Sequence, residues 1–175
     1  MILPVTPPLV TPFFRTTTMS TPASATVTHA VPPAHHSAKA AEPAGAYAHV
    51  RRAGNLLFLA GIGPRRRGNP QIPGVKQDAS GAVIDYDITQ QMDAAFDNVR
   101  TVLAECGATW NDIIDVTVFL TNMKRDWAAY NAHWAKHFPA GPSSPARTTV
   151  EITALPTVGS APINFEIKVI AALQA

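Results

Sequence analysis

Two residues of opposite charge sit inside short apolar stretches: Arg147 in Ala146-Arg147-Thr148-Thr149-Val150 and Glu166 in Phe165-Glu166-Ile167. Each stretch reads as a strand, and period-two alternation puts both side chains on the same face of a sheet. Such a pair is either a structural salt bridge or a working one. In a working pair the arginine grips a carboxylate, and the neighbouring carboxyl group moves protons. Asn131 falls between Trp127 and Trp134 at helical spacing. An amide there must find partners, either a neighbouring loop or a ligand. Arg65-Arg66-Arg67 follows Gly61 in a segment rich in Gly, Pro and Asn. That run is either a solvated surface or an anion site.

Other chemistries are excluded or disfavoured by the residues themselves. The stretch Gly61 to Gly68 (GIGPRRRG) lacks the Lys-Ser/Thr of a phosphate loop and the third glycine of a dinucleotide fingerprint. No Gly-x-Ser-x-Gly occurs, so there is no nucleophile elbow. His133 and His137 have the i, i+4 spacing of helical metal ligands, but no Glu accompanies them in H-E-x-x-H form, and a zinc site is disfavoured. His29, His35 and His36 lie in a proline-rich stretch and read as solvated. The single cysteine, Cys106, rules out an intrachain disulfide and a four-thiolate zinc site. It sits at the carboxyl end of a helical pattern, where the dipole disfavours a thiolate.

Composition sets the outer limits. The 175 residues are 46% hydrophobic and 15% charged, enough apolar material for one cored domain. A formal net charge of +2 is too balanced for a dedicated nucleic-acid binder. No apolar run is long enough to span a membrane as a helix. Eight of the 16 prolines fall in the first 43 positions, so residues 1–43 are expected to be a disordered or loosely packed tail, with the folded domain over 44–175. The uncharged, proline-broken start does not fit a secretory signal, and a cytoplasmic location is expected. Met19 opens Met-Ser-Thr-Pro-Ala-Ser, and translation is expected to begin there.

The elements that must carry these side chains follow from periodicity. Ala46–Arg51 and Asn55–Gly61 read as a hairpin around Arg52-Ala53-Gly54, and Gly63–Gly81 as a long loop. Helical spacing of Ile88, Met92, Ala95, Phe96, Val99, Val102 and Leu103 predicts a helix that Asp87 caps and Gly107 ends. Ile113–Thr121 alternates as a strand, Lys124–Phe138 is a second helix, and Arg147–Thr153 and Ile163–Ala172 are further strands. The order is α+β, with two helices on one face of a mixed sheet. The other face carries Phe119, Arg147, Thr149, Glu151, Asn164, Glu166, Lys168 and Ile170, and a partly apolar open face of this kind points to self-association.

From Gly45 to the C-terminus the sequence resembles the RidA (YjgF) family of enamine/imine deaminases. The resemblance rests on Gly45-Ala46-Tyr47, Leu57-Phe58-Leu59-Ala60-Gly61, Asp97-Asn98-Val99, Asp115 to Leu120, Tyr130-Asn131, Pro145 to Glu151 and Phe165-Glu166-Ile167. It implies a chorismate-mutase-like α+β fold, a homotrimer, and active sites in the clefts between subunits. It also implies that Arg147 binds a substrate carboxylate, that Glu166 positions or activates water, and that Asn131, Tyr47 and Gly61 line the pocket. No metal and no organic cofactor are implied. Three departures, the long tail, an extended Arg65–Gly81 loop and an insertion over Thr157–Pro162, resemble 2-aminomuconate deaminases of aromatic catabolism. On that reading Arg65, Arg66 and Arg67 are candidates for a second substrate carboxylate. The alternatives are a general 2-iminobutanoate/2-iminopropanoate deaminase and a non-catalytic trimer that binds small carboxylates.

Overall fold

Val116, Val118 and Leu120 alternate with polar neighbours and are fully buried, which makes their strand the spine of the domain. The computed structural model describes residues 33–157 and 161–174. Its strands are β1 (Ala34–His35), β2 (Val50–Ala53), β3 (Leu56–Leu59), β4 (Val75–Gln77), β5 (Val83–Tyr86), β6 (Ile113–Leu120), β7 (Ala146–Glu151) and β8 (Phe165–Ala172). Two helices, α1 (Ile88–Glu105) and α2 (Met123–His137), interrupt them. The main sheet runs β1-β2-β3-β8-β6-β7, and β4-β5 form a separate hairpin. β6 and β7 are parallel, joined through α2, and the other pairs are antiparallel.

α1 begins where Asp87 accepts from the Thr89 amide at 2.9 Å, satisfying a donor that a helix start leaves open, and from the Gln90 side chain at 3.1 Å. It ends at Gly107, whose φ of +76° suits a residue without Cβ. Its apolar stripe packs on β8, with β6 residues in the same core cluster, and α2 lies alongside. Phe96 is the hub: fully buried, it meets Trp110, Trp134, Phe138 and Phe165 edge-on at centroid distances of 5.3–6.2 Å. Phe96→Ala is expected to destabilise the chain by about 3–5 kcal/mol. Chemical denaturation at fixed protein concentration measures it.

Two expectations need correction. The tail was expected to run through Pro43. Residues 1–32, with Met19 and His29, lie outside the described residues, but residues 33–43 pack on the domain. β1 pairs with β2, His35 bonds Glu105 at 2.9 Å, and Ser37 and Ala40 are buried. A polar anchor explains how so proline-rich a stretch is held. Arg67 donates to the carbonyls of Ala40 (2.9 Å) and Ser37 (3.1 Å) and to the Glu42 carboxylate (2.7 Å). The Gly63–Gly81 stretch is also more ordered than a loop. Asp78 accepts from the Ser80 and Ala82 amides, and this turn folds β4 back on β5.

Candidate active site

The register of the sheet decides which side chains share a face. Glu166 lies opposite Phe119 on β6, on the face away from the helices, with Lys168 opposite Thr117. Arg147 lies opposite the buried Val116, and Thr149 opposite the buried Val118. Residues directly opposite point the same way. Arg147, Thr149 and Glu151 therefore face the α2 side, and the expectation that Arg147 and Glu166 share a face is wrong within one chain. Asn164, also expected on the open face, is buried and turned to α1. Its backbone N–H donates to Gln91 Oε1 at 2.7 Å, and its Oδ1 accepts from Gln91 Nε2 at 3.2 Å. The reason for the β7 error is physical. Val150 of β7 lies opposite Phe119 and looks outward, where Phe119 and Ile152, just past the strand, pack on a small second cluster of Ile72, Leu155, Ala161 and Ile163.

Arg147 occupies a prepared place on α2. Its guanidinium donates to Asn131 Oδ1 at 3.0 Å and lies 5.0 Å from the Tyr130 ring centre and 4.9 Å from that of Trp134. Two aromatic rings and an amide hold the cation in place, while the residue stays exposed at the sheet edge. Tyr130 is itself anchored by its hydroxyl to Thr149 at 2.8 Å. Asn131 and Arg147, both expected to handle substrate, are thus brought together.

Glu166 forms the second group. Its carboxylate is half-buried and makes no protein hydrogen bond among the described residues. Burial pushes its pKa up, and the nearby positive charge of Arg65 opposes that rise. The carboxyl lies against the backbone of Gly61, where a Cβ would meet Glu166 Cδ at 2.7 Å, so only glycine leaves it this position. Gly61 also borders a small cleft of about 30 Å³ with Tyr47 and Arg65, room for a water molecule. Tyr47, 43% exposed, borders a broad groove on the open face as well, together with Arg51, Phe58 and Lys168.

The arginine run divides. Arg65 faces Gly61 and Glu166, Arg66 is exposed, and Arg67 is committed to anchoring residues 37–42. Sequence reasoning gave Asn98 no role, although it stood in the resembling Asp97-Asn98-Val99. Its amide donates to the carbonyls of Gly63 (2.9 Å) and Arg65 (2.7 Å) and so holds the arginine loop against α1. His49 was also missed. It is buried, accepts from the Ser37 amide at 3.0 Å and bonds the Ala41 carbonyl at 2.9 Å. Cys106 is inert as read, since burial and the Glu105 carboxylate push its thiol up. No helix among the described residues is long and apolar enough to cross a membrane.

Comparison with known proteins bears on this arrangement. Residues 37–173 match the family model described as endoribonuclease L-PSP. The chain belongs to the RidA (endoribonuclease L-PSP, RutC) family. A RutC family protein of Pyrococcus abyssi is 35% identical over 118 residues, 67% of this chain and 82% of its own. The Escherichia coli RutC family protein YjgH is 36% identical over 126 residues, 71% of this chain and 81% of its own. The solved structure of YjgH superposes with a TM-score of 0.64 at 30% identity, covering 83% of this chain and 99% of that one. The chloroplastic Reactive Intermediate Deaminase A of Arabidopsis thaliana is 30% identical over 118 residues, 67% of this chain and 56% of its own. The RidA fold expected from the resemblance is the fold observed, and the matched region begins at Ser37, inside the stretch first read as tail.

Proposed function

We propose that this RidA-family chain is a hydrolytic deaminase of enamines and imines that carry a carboxylate, and that 2-aminomuconate is its substrate. The observation that carries the reading is Glu166: a half-buried carboxylate without a protein hydrogen bond, lodged against Gly61 beside a water-sized cleft. The enamine tautomerises to the imine by proton transfer to carbon. Glu166 takes a proton from water as the water oxygen bonds the imine carbon, and gives that proton to the nitrogen to form the carbinolamine. The hydroxyl proton of the carbinolamine then passes to nitrogen as the C–N bond breaks and the C=O bond forms, and a carbonyl compound and ammonia leave. For 2-aminomuconate the product is 4-oxalocrotonate. Orientation supplies much of the rate, and an arginine held by an amide beside two rings suits bidentate capture of the substrate carboxylate.

Within one chain Arg147 and Glu166 lie on opposite faces of the sheet, so one site cannot use both unless two copies meet. The open face, with Phe58 37% exposed, offers the surface for that meeting. We therefore place the working site between subunits of a homotrimer, with Arg147 and Asn131 from one copy and Glu166, Gly61 and Tyr47 from the next. The relative named Reactive Intermediate Deaminase A supports the general reaction.

Arg65 supports the dicarboxylate substrate, because the far carboxylate needs a cation of its own. Arg65→Ala is expected to lower kcat/KM for 2-aminomuconate relative to 2-iminobutanoate, and Arg67→Ala, which loosens residues 37–42, should leave that ratio unchanged. The deciding experiment is ammonia release from both compounds by the purified chain. Preferential release from 2-aminomuconate supports the full reading, and equal or better use of 2-iminobutanoate reduces it to general imine hydrolysis. Carboxylate binding with no ammonia release overturns the deaminase reading.

A further inference from the structure

The two histidines that lack an acidic partner in their own helix find one across the helix packing. Asp93 of α1, His133 and His137 converge where α1 meets α2. His133 Nε2 is 2.6 Å from Asp93 Oδ1. His137 Nε2 is 3.3 Å from the same oxygen and 3.3 Å from His133 Nε2. The imidazoles are largely covered, at 11% and 21% exposure, while Asp93 is 50% exposed and keeps one side open to water.

A tetrahedral ion bound at about 2.0–2.1 Å has edges of about 3.3 Å between its ligand atoms. Two of the three edges here already have that length, and the His133–Asp93 edge has only to open. We infer that Asp93, His133 and His137 form a binding site for a first-row divalent cation, with water as the fourth ligand. Two imidazoles and a carboxylate suit Zn²⁺.

One neighbour competes with the ion. Arg100 Nη2 lies 3.2 Å from His137 Nδ1, and an arginine can only donate. In the metal-free protein His137 therefore accepts at Nδ1 and carries its proton on Nε2, the atom that must ligate. Binding requires that proton to move to Nδ1 and Arg100 to let go. Asp97, 3.6 Å away, and the Trp110 ring, 4.1 Å from the guanidinium carbon, keep Arg100 held after release. The bound ion would tie α1 to α2 beside Trp134, away from Glu166.

The test uses the full chain stripped with chelator, with Co²⁺ and Zn²⁺ as probes and no reliance on activity. The expected results are the visible absorption of four-coordinate Co²⁺ at one equivalent per chain, displacement by Zn²⁺, and a rise in Tm with Zn²⁺. His133→Gln and His137→Gln should each abolish the absorption. Asp93→Asn, which retains a hydrogen bond to His133 and so the helix packing, should weaken binding at least tenfold. His36→Gln should change nothing. Arg100→Gln removes the competing donor and should tighten binding severalfold. Absence of the Co²⁺ absorption, binding indifferent to His133 and His137, or binding indifferent to Arg100 overturns the site.

Discussion

Glu166→Gln is expected to leave the fold intact and to lower turnover by about 10²–10⁴, the usual worth of a positioned acid/base group. Gln has the shape of Glu and fits against Gly61, so substrate binding should survive. Ionised Glu166 is the form that accepts a proton from water. Activity in the parent should therefore fall as pH drops through its pKa. Because burial raises that pKa, the acid limb of kcat/KM should lie above the ordinary carboxylate range. The same shift fixes the sign for stability. The folded chain holds the Glu166 proton more tightly than the unfolded chain, so stability declines as pH rises from the unfolded pKa through the folded one. At neutral pH the Gln variant should melt above the parent, and the difference should vanish in acid. An unchanged turnover would make Glu166 structural.

Arg147→Lys should raise KM by roughly ten- to a hundredfold, the equivalent of about 1.5–3 kcal/mol for a charge-assisted hydrogen bond. Lysine keeps the charge and loses the planar fork. It also lacks the planar group that lies near the Tyr130 and Trp134 rings while bonding Asn131. Steady-state kinetics on a carboxylate-bearing imine measure the effect. Kinetics near those of the parent would mean that charge alone suffices and that the stacked geometry has no part in recognition.

Long periodic segments were legible in the sequence because burial imposes their period. α1 shows it through Ile88 to Leu103, and β6 through Val116, Val118 and Leu120. The β4-β5 hairpin was not, since three or four residues carry too little alternation to stand out among glycines and prolines. The N-terminal segment was misread because what holds it is Arg67 and His49 bonding to its backbone, and composition does not register such contacts. For the site, Arg147, Asn131 and Glu166 were each legible as candidates, but the sequence paired Arg147 with Glu166, whereas the structure sets Arg147 beside Asn131 and Glu166 against Gly61. Which face each takes depends on the parallel β6–β7 register and on the outward packing of Ile152, and both are set by tertiary structure. The partner of His133 and His137 was hidden for the same reason: Asp93 is forty residues from His133 in sequence and hydrogen-bonded to it in space.

The most direct test mixes two inactive chains. Glu166→Gln and Arg147→Ala subunits, carrying different tags, are co-expressed and purified through both tags, and ammonia release is measured per site. If each site takes Glu166 from one copy and Arg147 from the next, every closed ring of three that carries both tags has one site in three with both native residues. Activity should return to about that fraction of the parent. If Glu166 and Arg147 serve one site within a single chain, no mixed site has both, and the mixture stays as inactive as either variant.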